Sequence, residues 1–302
     1  MSEFLRIKSI SQLHEMLGCE KPKHPLITII DYSKITANPK HYDVKIATDF
    51  YIISLKSPAP KSLHYGRQYY DFEEGTMMFM SPEQVFSVSD FNEQTQYQGW
   101  GLYFHSDLIS NSSLGKKIKD YNFFSYSVSE ALHTSEDEKQ TLTDLIKTIE
   151  KEYKSNIDQF SQGLIITAIE QLLNYSQRFY GRQFLTRQKL NTDFISRFEQ
   201  LVTDYFQSNL LTEIGIPTVD YFANKLNLSA GYLTDLLKRE TGKTTKEYLQ
   251  IEVIEKAKYK LLNSNDTVSE IAYTLGFEYP QYFNRLFKQK TGMTPLNYRQ
   301  LN

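Results

Sequence analysis

Residues 267–300 read TVSEIAYTLGFEYPQYFNRLFKQKTGMTPLNYRQ, and an earlier stretch, residues 219–250, reads VDYFANKLNLSAGYLTDLLKRETGKTTKEYLQ. The two align. Val219, Ala223 and Leu226 recur as Val268, Ala272 and Leu275. After one inserted residue, Tyr232, Leu236, Lys238, Thr241, Gly242, Thr244 and Tyr248 recur as Tyr282, Leu286, Lys288, Thr291, Gly292, Thr294 and Tyr298. Ten identities in register over some thirty positions are beyond chance. A period used only twice is not a solenoid, which needs at least about three stacked units. It is one module duplicated.

Each copy parses as helix, tight turn, helix. In the second, Thr267 and Glu270 form a capping box, and Ile271, Ala272 and Leu275 supply an apolar stripe. Gly276 ends that helix, because the left-handed backbone needed there is cheapest for glycine, and Pro280 suits the first turn of the next. In the first copy Ala223, Leu226 and Leu228 play the same parts. There Asn227 replaces the glycine and Ser229 is the N-cap. A short helix, a glycine-type turn and a second helix make a helix-turn-helix, with units predicted at about 218–239 and 267–290.

The second helix of each unit carries the chemistry. Phe283, Leu286 and Phe287 fall at i, i+3, i+4 and face inward, which turns Gln281, Asn284, Arg285 and Lys288 outward. Amide and guanidinium groups can pair base edges bidentately, and lysine reaches phosphate. In the first unit Leu233, Leu236 and Leu237 face inward, and Gly231, Thr234, Asp235 and Lys238 take the matching outward positions. A solvated helix face can have the same composition, so one such helix alone would prove little. Two copies at equivalent positions favour a reading face on double-stranded DNA. The predicted contact set is Ser229, Gly231, Tyr232, Thr234, Asp235 and Lys238, then Tyr279, Gln281, Tyr282, Asn284, Arg285 and Lys288.

Between the units, Thr244 and Glu247 open a further helix that runs through Leu262, about 28 Å long at ~1.5 Å per residue. Successive major grooves on one side of a duplex recur every ~34 Å, so this helix has about the length needed to set both reading helices on one side. Residues 217–302 hold twelve Lys/Arg against nine Asp/Glu, a net of +3. After Glu278 come Arg285, Lys288, Lys290 and Arg299 with no acidic residue. That is a phosphate-contacting footprint on a chain whose formal net charge is −2.

On these residues the chain resembles the AraC/XylS family of transcription regulators. The resemblance is carried by Ala257 with Leu261-Leu262, by Ile271-Ala272 and by Leu275-Gly276-Phe277. It continues through Tyr282-Phe283-Asn284-Arg285-Leu286-Phe287-Lys288, Thr291-Gly292-Met293-Thr294-Pro295 and Tyr298-Arg299, and covers roughly residues 195–302. It implies two helix-turn-helix units in adjacent major grooves and an upstream cupin-like domain for effector binding or dimerisation. It also implies activation through RNA polymerase, a small-molecule effector and a homodimer. Three positions depart from the family pattern. Val253 stands where arginine is common in the linker helix, Asp235 puts an acid on the first reading face, and Tyr279 sits before Pro280 where a short capping side chain is usual.

The rest of the chain bounds these expectations. At 302 residues, 40% hydrophobic and 23% charged, it has ordinary globular composition with room for two or three domains. Cys19 is the only cysteine, which excludes an internal disulfide and a cysteine-rich zinc site and suits a reducing cytoplasm. The N-terminus lacks a secretory pattern and no apolar run approaches ~18 residues, so a cytoplasmic protein, on the nucleoid while bound to DNA and not in a membrane, is expected.

From Pro25 to Phe104 short apolar runs recur: Leu26–Ile30, Phe50–Leu55, Gln68–Phe72, Thr76–Met80, Gln84–Val88 and Gly99–Phe104. Turn residues punctuate them, which predicts a small β-barrel or sandwich. From Ser135 the period becomes helical, with a capping box to Glu138. A second helix from about Asp158 carries a wide apolar face through Leu173, which stands equally as a dimer seam or a core face. Arg178 to Lys189 reads as a basic connector centred on Gly181, a helix with Phe198 and Val202 follows, and residues 207–217 read as a loop.

The expected class is α+β. Residues 1–134 form a β-rich cupin-like effector domain, residues 135–190 a helical dimerisation region and linker, and residues 191–302 the DNA-binding domain. Tyr65, Arg67, Tyr69, Tyr70 and Trp100 are a candidate effector pocket, with ordinary packed aromatics as the alternative. The six histidines, at 14, 24, 41, 64, 105 and 133, are never spaced His-x-His. Neither metal nor cofactor is therefore expected, and a cupin enzyme is the remoter reading. An architectural DNA-binding protein without sequence preference is the nearer rival.

Overall fold

The computed structural model describes residues 4–35, 44–57, 73–87, 98–155 and 158–300. The chain forms two compact units, residues 1–188 and 189–302.

The first unit is built on two sheets. β1 (Phe4–Ile7) is followed by α1 (Ile10–Leu17), then β2 (Ile27–Asp31), β3 (Lys45–Thr48) and β4 (Phe50–Ser57). β5 (Gly75–Met80), β6 (Phe86–Ser87), β7 (Gln98–His105) and, later, β8 (Leu132–Thr134) complete them. The larger sheet is antiparallel throughout, in the order β2-β7-β4-β5-β8. Its central strand β4 pairs along its whole length with β7, from Phe50 opposite His105 to Ser57 opposite Gln98. The smaller sheet, β1-β3-β6, has β1 parallel to β3. Ile7, Ile10, Leu13 and Ile46 from the smaller sheet and α1 pack with Phe50 and Ile52 of β4 in one apolar cluster.

The α+β class with a β-rich N-terminal part is what the structure has. The five-stranded sheet does not close on itself among the described residues; β2 and β8 are its edges. Four of the expected strands stand close to their predicted bounds, and Gln84–Val88 shortens to the two residues of β6. Gln68–Phe72 lies outside the described residues.

Two short helices, α2 (Ser106–Ile109) and α3 (Ser113–Lys117), lead through 3-10 turns to β8 and then to α4 (Glu136–Lys154) and α5 (Ser161–Thr186). The Ser135–Glu138 capping box is present in both directions. Asp158 accepts from the amides of Phe160 and Ser161 and so opens α5. Ile165, Ile169, Leu172 and Leu173 are buried within the unit, so the wide apolar face of this helix is a core face.

The expected basic connector at 178–189 is corrected. α5 continues through Gly181 to Thr186. Glycine in a helix interior costs about 1 kcal/mol, but Phe179, Tyr180 and Phe184 are buried here. Each contributes about 1.5–3 kcal/mol, so packing outweighs propensity. Arg182 forms a bidentate pair with Glu138 (3.1 and 2.6 Å) and donates to the His133 carbonyl at 2.6 Å. Gln183 accepts from the His133 amide at 2.8 Å and donates to the Ala131 carbonyl at 3.0 Å, so it holds the edge of β8. These side chains staple helix to strand rather than link domains.

The second unit is all helical. α6 (Gln188–Gln207) leads to α7 (Leu210–Glu213), a single turn inside the expected loop. α8 (Val219–Leu226) and α9 (Ala230–Thr241) form the first helix-turn-helix, and α10 (Thr245–Asn263) is the connecting helix. α11 (Val268–Thr274) and α12 (Pro280–Thr291) form the second, and α13 (Pro295–Arg299) ends the unit. One continuous apolar core serves both copies: Leu249, Val253, Ile254, Ala257 and Leu261 of α10 lie between Phe222, Leu233 and Leu237 of the first and Ile271, Phe283 and Phe287 of the second.

Candidate nucleic-acid interface

The two turns are built alike. Asn227 adopts φ +55° and Gly276 φ +82°. The Leu228 amide donates to the Ala223 carbonyl at 2.9 Å, and the Phe277 amide donates to the Ala272 carbonyl at 3.0 Å. In each, the next-inner bond, Asn227 to Asn224 and Gly276 to Tyr273, closes the same Schellman-type cap. The apolar residue after the turn, Leu228 or Phe277, then packs into the shared core.

Gly276 is doubly required. A Cβ there would lie 2.6 Å from the Leu211 carbonyl oxygen and 2.8 Å from Gly215. Residues 207–217 are therefore a brace under the second turn. Tyr205 donates to the Gly215 carbonyl at 2.9 Å, and Thr212 donates to the Thr274 carbonyl at 3.4 Å.

On α12, Gln281, Asn284, Arg285 and Lys288 are all exposed, while Phe283 and Phe287 are fully buried. Tyr279 is the N-cap and makes no side-chain cap bond; Pro280 supplies the first turn. Its ring stands edge-on to Tyr282 at 5.8 Å, and the Arg285 guanidinium lies 5.3 Å from the Tyr282 ring centroid. An exposed tyrosine thus braces an exposed arginine one helical turn into α12, which limits the rotamer freedom that binding would otherwise have to remove.

The first reading helix is more withdrawn. Ser229 caps α9, accepting from the Tyr232 amide at 3.2 Å. Lys238 is exposed, while Gly231, Thr234 and Asp235 are only half-exposed. Thr234 shares a hydrogen bond of 3.3 Å with Thr245, a buried residue at the start of α10. Tyr232 is 3% exposed against 54% for its counterpart Tyr282. The placement of Tyr232 on the contact face is corrected: α9 sits deeper in the core, and the ring packs inward. Only the inserted residue in the alignment hinted that the two helices are set differently.

Charge follows the same asymmetry. Lys238, Arg239, Lys243, Lys246, Arg285, Lys288 and Lys290 are exposed. Arg299, counted with the basic end in sequence, is half-buried and donates to the Leu261 carbonyl at 3.1 Å, which caps α10. Lys256 donates to the Phe206 carbonyl, which ties α10 to α6. Val253 is wholly buried, so the linker helix carries core there rather than a phosphate contact. The Glu247 carboxyl is held below its usual range by the Thr244 amide and hydroxyl, with smaller help from Lys290 and Lys238. A lysine of each reading helix therefore acts on the start of α10. α10 has nineteen residues, as the spacing argument required.

Of the candidate effector residues, Tyr65, Arg67, Tyr69 and Tyr70 lie outside the described residues. Trp100 is buried and donates to the Thr143 hydroxyl at 3.2 Å, joining β7 to α4. Among the described residues no group of three His, Cys, Asp or Glu side chains is placed to hold a metal. No helix of the described residues is long and apolar enough to cross a membrane. Burial pushes the Cys19 thiol up, away from thiolate reactivity.

Comparison with known proteins places the helix-turn-helix domain family on residues 222–301. Among curated relatives, the bifunctional transcriptional activator/DNA repair enzyme AdaA of Bacillus subtilis is 29% identical over 149 residues, covering 49% of this chain and 68% of that protein. The transcriptional activator RhaR of Escherichia coli K12 is 34% identical over 84 residues, covering 28% of this chain and only 30% of RhaR. Among solved structures, the C-terminal domain of the response regulator yesN of Fusobacterium nucleatum matches 33% of this chain and 96% of that one at 33% identity, TM-score 0.30. The DNA-binding domain of AdpA in complex with a target DNA matches 28% of this chain and 77% of that one at 24% identity, TM-score 0.27.

Proposed function

We propose that the chain, whose residues 222–301 match a helix-turn-helix domain, is a sequence-specific, effector-responsive transcription regulator of the AraC type reading two successive major-groove segments of double-stranded DNA. The observation that carries this is the pairing of two turns of identical hydrogen-bond pattern on one core, spaced by a nineteen-residue helix of about 28 Å. In this reading Gln281, Asn284 and Arg285 contact base edges and Lys238 and Lys288 contact phosphate. Ser229, Gly231, Thr234, Asp235 and Tyr279 border the two contacts. The second helix-turn-helix supplies most of the base discrimination, since its face is the more exposed.

The first unit senses the effector and two chains occupy one operator. Phe160 just before α5 and Leu164 and Leu185 on it are exposed, apolar residues left for a second copy after its wide face is consumed internally. Activation through RNA polymerase follows from the likeness to proteins named as activators.

The test is selection of duplexes from a random library by the full-length protein, with affinity followed against salt. An enriched bipartite site with half-elements about one turn apart, preferred by roughly 10³-fold or more, supports the proposal. Equal affinity for every duplex with a steep salt dependence overturns it in favour of an architectural DNA-binding protein.

A further inference from the structure

The second unit holds a groove of about 500 Å³ between α10 and α12, bordered by residues 216–218 and the start of α8. Its floor is apolar: Val219 of α8, Leu249 and Val253 of α10, Phe277 after the second turn and Leu286 of α12. Ile216, at the border, is 36% exposed.

The rim is of one sign. Lys246 and Gln250 stand one turn apart on α10, and Arg285 and Gln289 stand one turn apart on α12. No aspartate or glutamate lines the space. Glu247, next to Lys246 in sequence, is taken up by the Thr244 cap, and the cations that act on it are Lys290 and Lys238. Among the described residues neither Lys246 nor Arg285 pairs with a carboxylate, and Arg285 rests against the Tyr282 ring, 5.3 Å from its centroid. Two cations and two amides therefore overlook an apolar floor. A DNA backbone brings polar phosphates and sugars to such a floor and leaves its apolar surface unfilled, so the complementary occupant has an apolar body and a negative head.

We infer that this groove binds an amphipathic carboxylic acid, its apolar body on Val219, Phe277 and Leu286 and its acid group on Arg285 and Lys246. Size sets the body: an apolar cavity of ~150 Å³ accommodates benzene, so this groove has room for more than one ring. Charge sets the head: a guanidinium fork matches a carboxylate with two parallel bonds, and the glutamine amides can donate to its remaining lone pairs. The DNA-binding unit would thus carry a ligand site of its own, beyond the effector assigned to the first unit. Its regulatory meaning rests on the reading that places Arg285 on a base edge. Acid and operator then compete for one guanidinium, and each lowers the affinity for the other by the same factor.

The experiment is calorimetric titration of the full-length protein, without DNA, with naphthoate and, separately, with its neutral amide. The acid should bind about 3- to 30-fold more tightly, the worth of two solvent-exposed ion pairs. A Lys246→Gln, Arg285→Gln double variant should bring acid and amide to equal affinity with both still bound. Ile216→Glu repeats the test without touching either helix: a carboxylate at the border should weaken the acid more than the amide. Failure of both ligands to bind, equal affinity in the parent protein, or an acid preference that survives the double variant would overturn the proposal. These titrations decide the site whether or not a preferred duplex is ever selected. Repeating them on protein saturated with the selected duplex separates the two readings. Loss of acid binding there supports the competition, and unchanged acid binding upholds the site and refutes its effect on DNA.

Discussion

Gly276, Gly292 and Gly242 all hold positive φ, at +82°, +81° and +74°, yet replacing them by alanine should have unequal costs. Left-handed backbone disfavours any residue with a Cβ by about 1–2 kcal/mol. Alanine recovers about 0.4–1 kcal/mol of that by restricting the unfolded chain. At Gly292 and Gly242 nothing lies within 4 Å of the added carbon, so each substitution should cost about 1 kcal/mol. At Gly276 the carbon would meet the Leu211 carbonyl oxygen at 2.6 Å and Gly215 at 2.8 Å. These are backbone atoms, held by the Tyr205–Gly215 and Thr212–Thr274 bonds, so they do not move aside like the end of a side chain. Overpacking of this kind adds about 1–3 kcal/mol, for a total near 3 kcal/mol at Gly276. Guanidinium unfolding followed by far-ultraviolet circular dichroism measures the difference. The sole tryptophan, Trp100, lies in the first unit, so its fluorescence provides an internal control. A Gly276→Ala protein no less stable than Gly292→Ala would refute the claim that residues 207–217 brace the turn.

Three further outcomes follow from the interface. Asn284→Ala and Arg285→Ala should each weaken binding to the selected operator by about 1–3 kcal/mol and relax its sequence preference, whereas Lys288→Ala should weaken all duplexes alike and reduce the salt slope by about 1; competition binding at several salt concentrations distinguishes them. Tyr232→Ala should destabilise the second unit by about 3 kcal/mol through loss of a buried ring, while Tyr282→Ala should leave stability unchanged and lower operator affinity by freeing Arg285; thermal melts paired with DNA titration read both. Glu247 and Glu270 are held below their ordinary value of 4.5 by cap bonds from Thr244 and Thr267, so the stability they add is present above that pH and lost as pH falls through the lowered values. A Glu247→Gln, Glu270→Gln double variant should accordingly be less stable than the parent at neutral pH, with the difference vanishing as pH falls through the lowered values, so its stability profile should be the flatter.

What could be read from the amino-acid order divides along a physical line. Capping boxes, αL turns and i, i+3, i+4 stripes are local, and the bonds of Thr267 to Glu270 or Ala223 to Leu228 close within a few residues. The duplication made them readable twice over. The parallel pairing of β1 with β3 joins residues some forty positions apart through strands of four residues, too short for alternation to register. The run from Arg178 to Lys189 read as a connector because glycine and arginine are poor signs of a helix core in isolation. Their partners, Glu138, His133 and Ala131, lie more than forty residues back.

The two reading helices show why a correct local pattern can still misplace a side chain. Tyr232 and Tyr282 occupy the same position of the same module, and nothing in either helix distinguishes them. The difference comes from what each helix leans on: α9 is tied to the start of α10 through Thr234 and Thr245, whereas α12 is led in by Tyr279 and Pro280. Duplication preserved the turn and the core contacts, which both copies need to fold. It left the outer faces free to diverge, so one unit kept an exposed aromatic–arginine pair and the other turned its aromatic inward. Two structurally equivalent units on one core can therefore make unequal contributions to recognition, and the operator should be asymmetric within each chain's footprint, with sharper base preference under α12 than under α9.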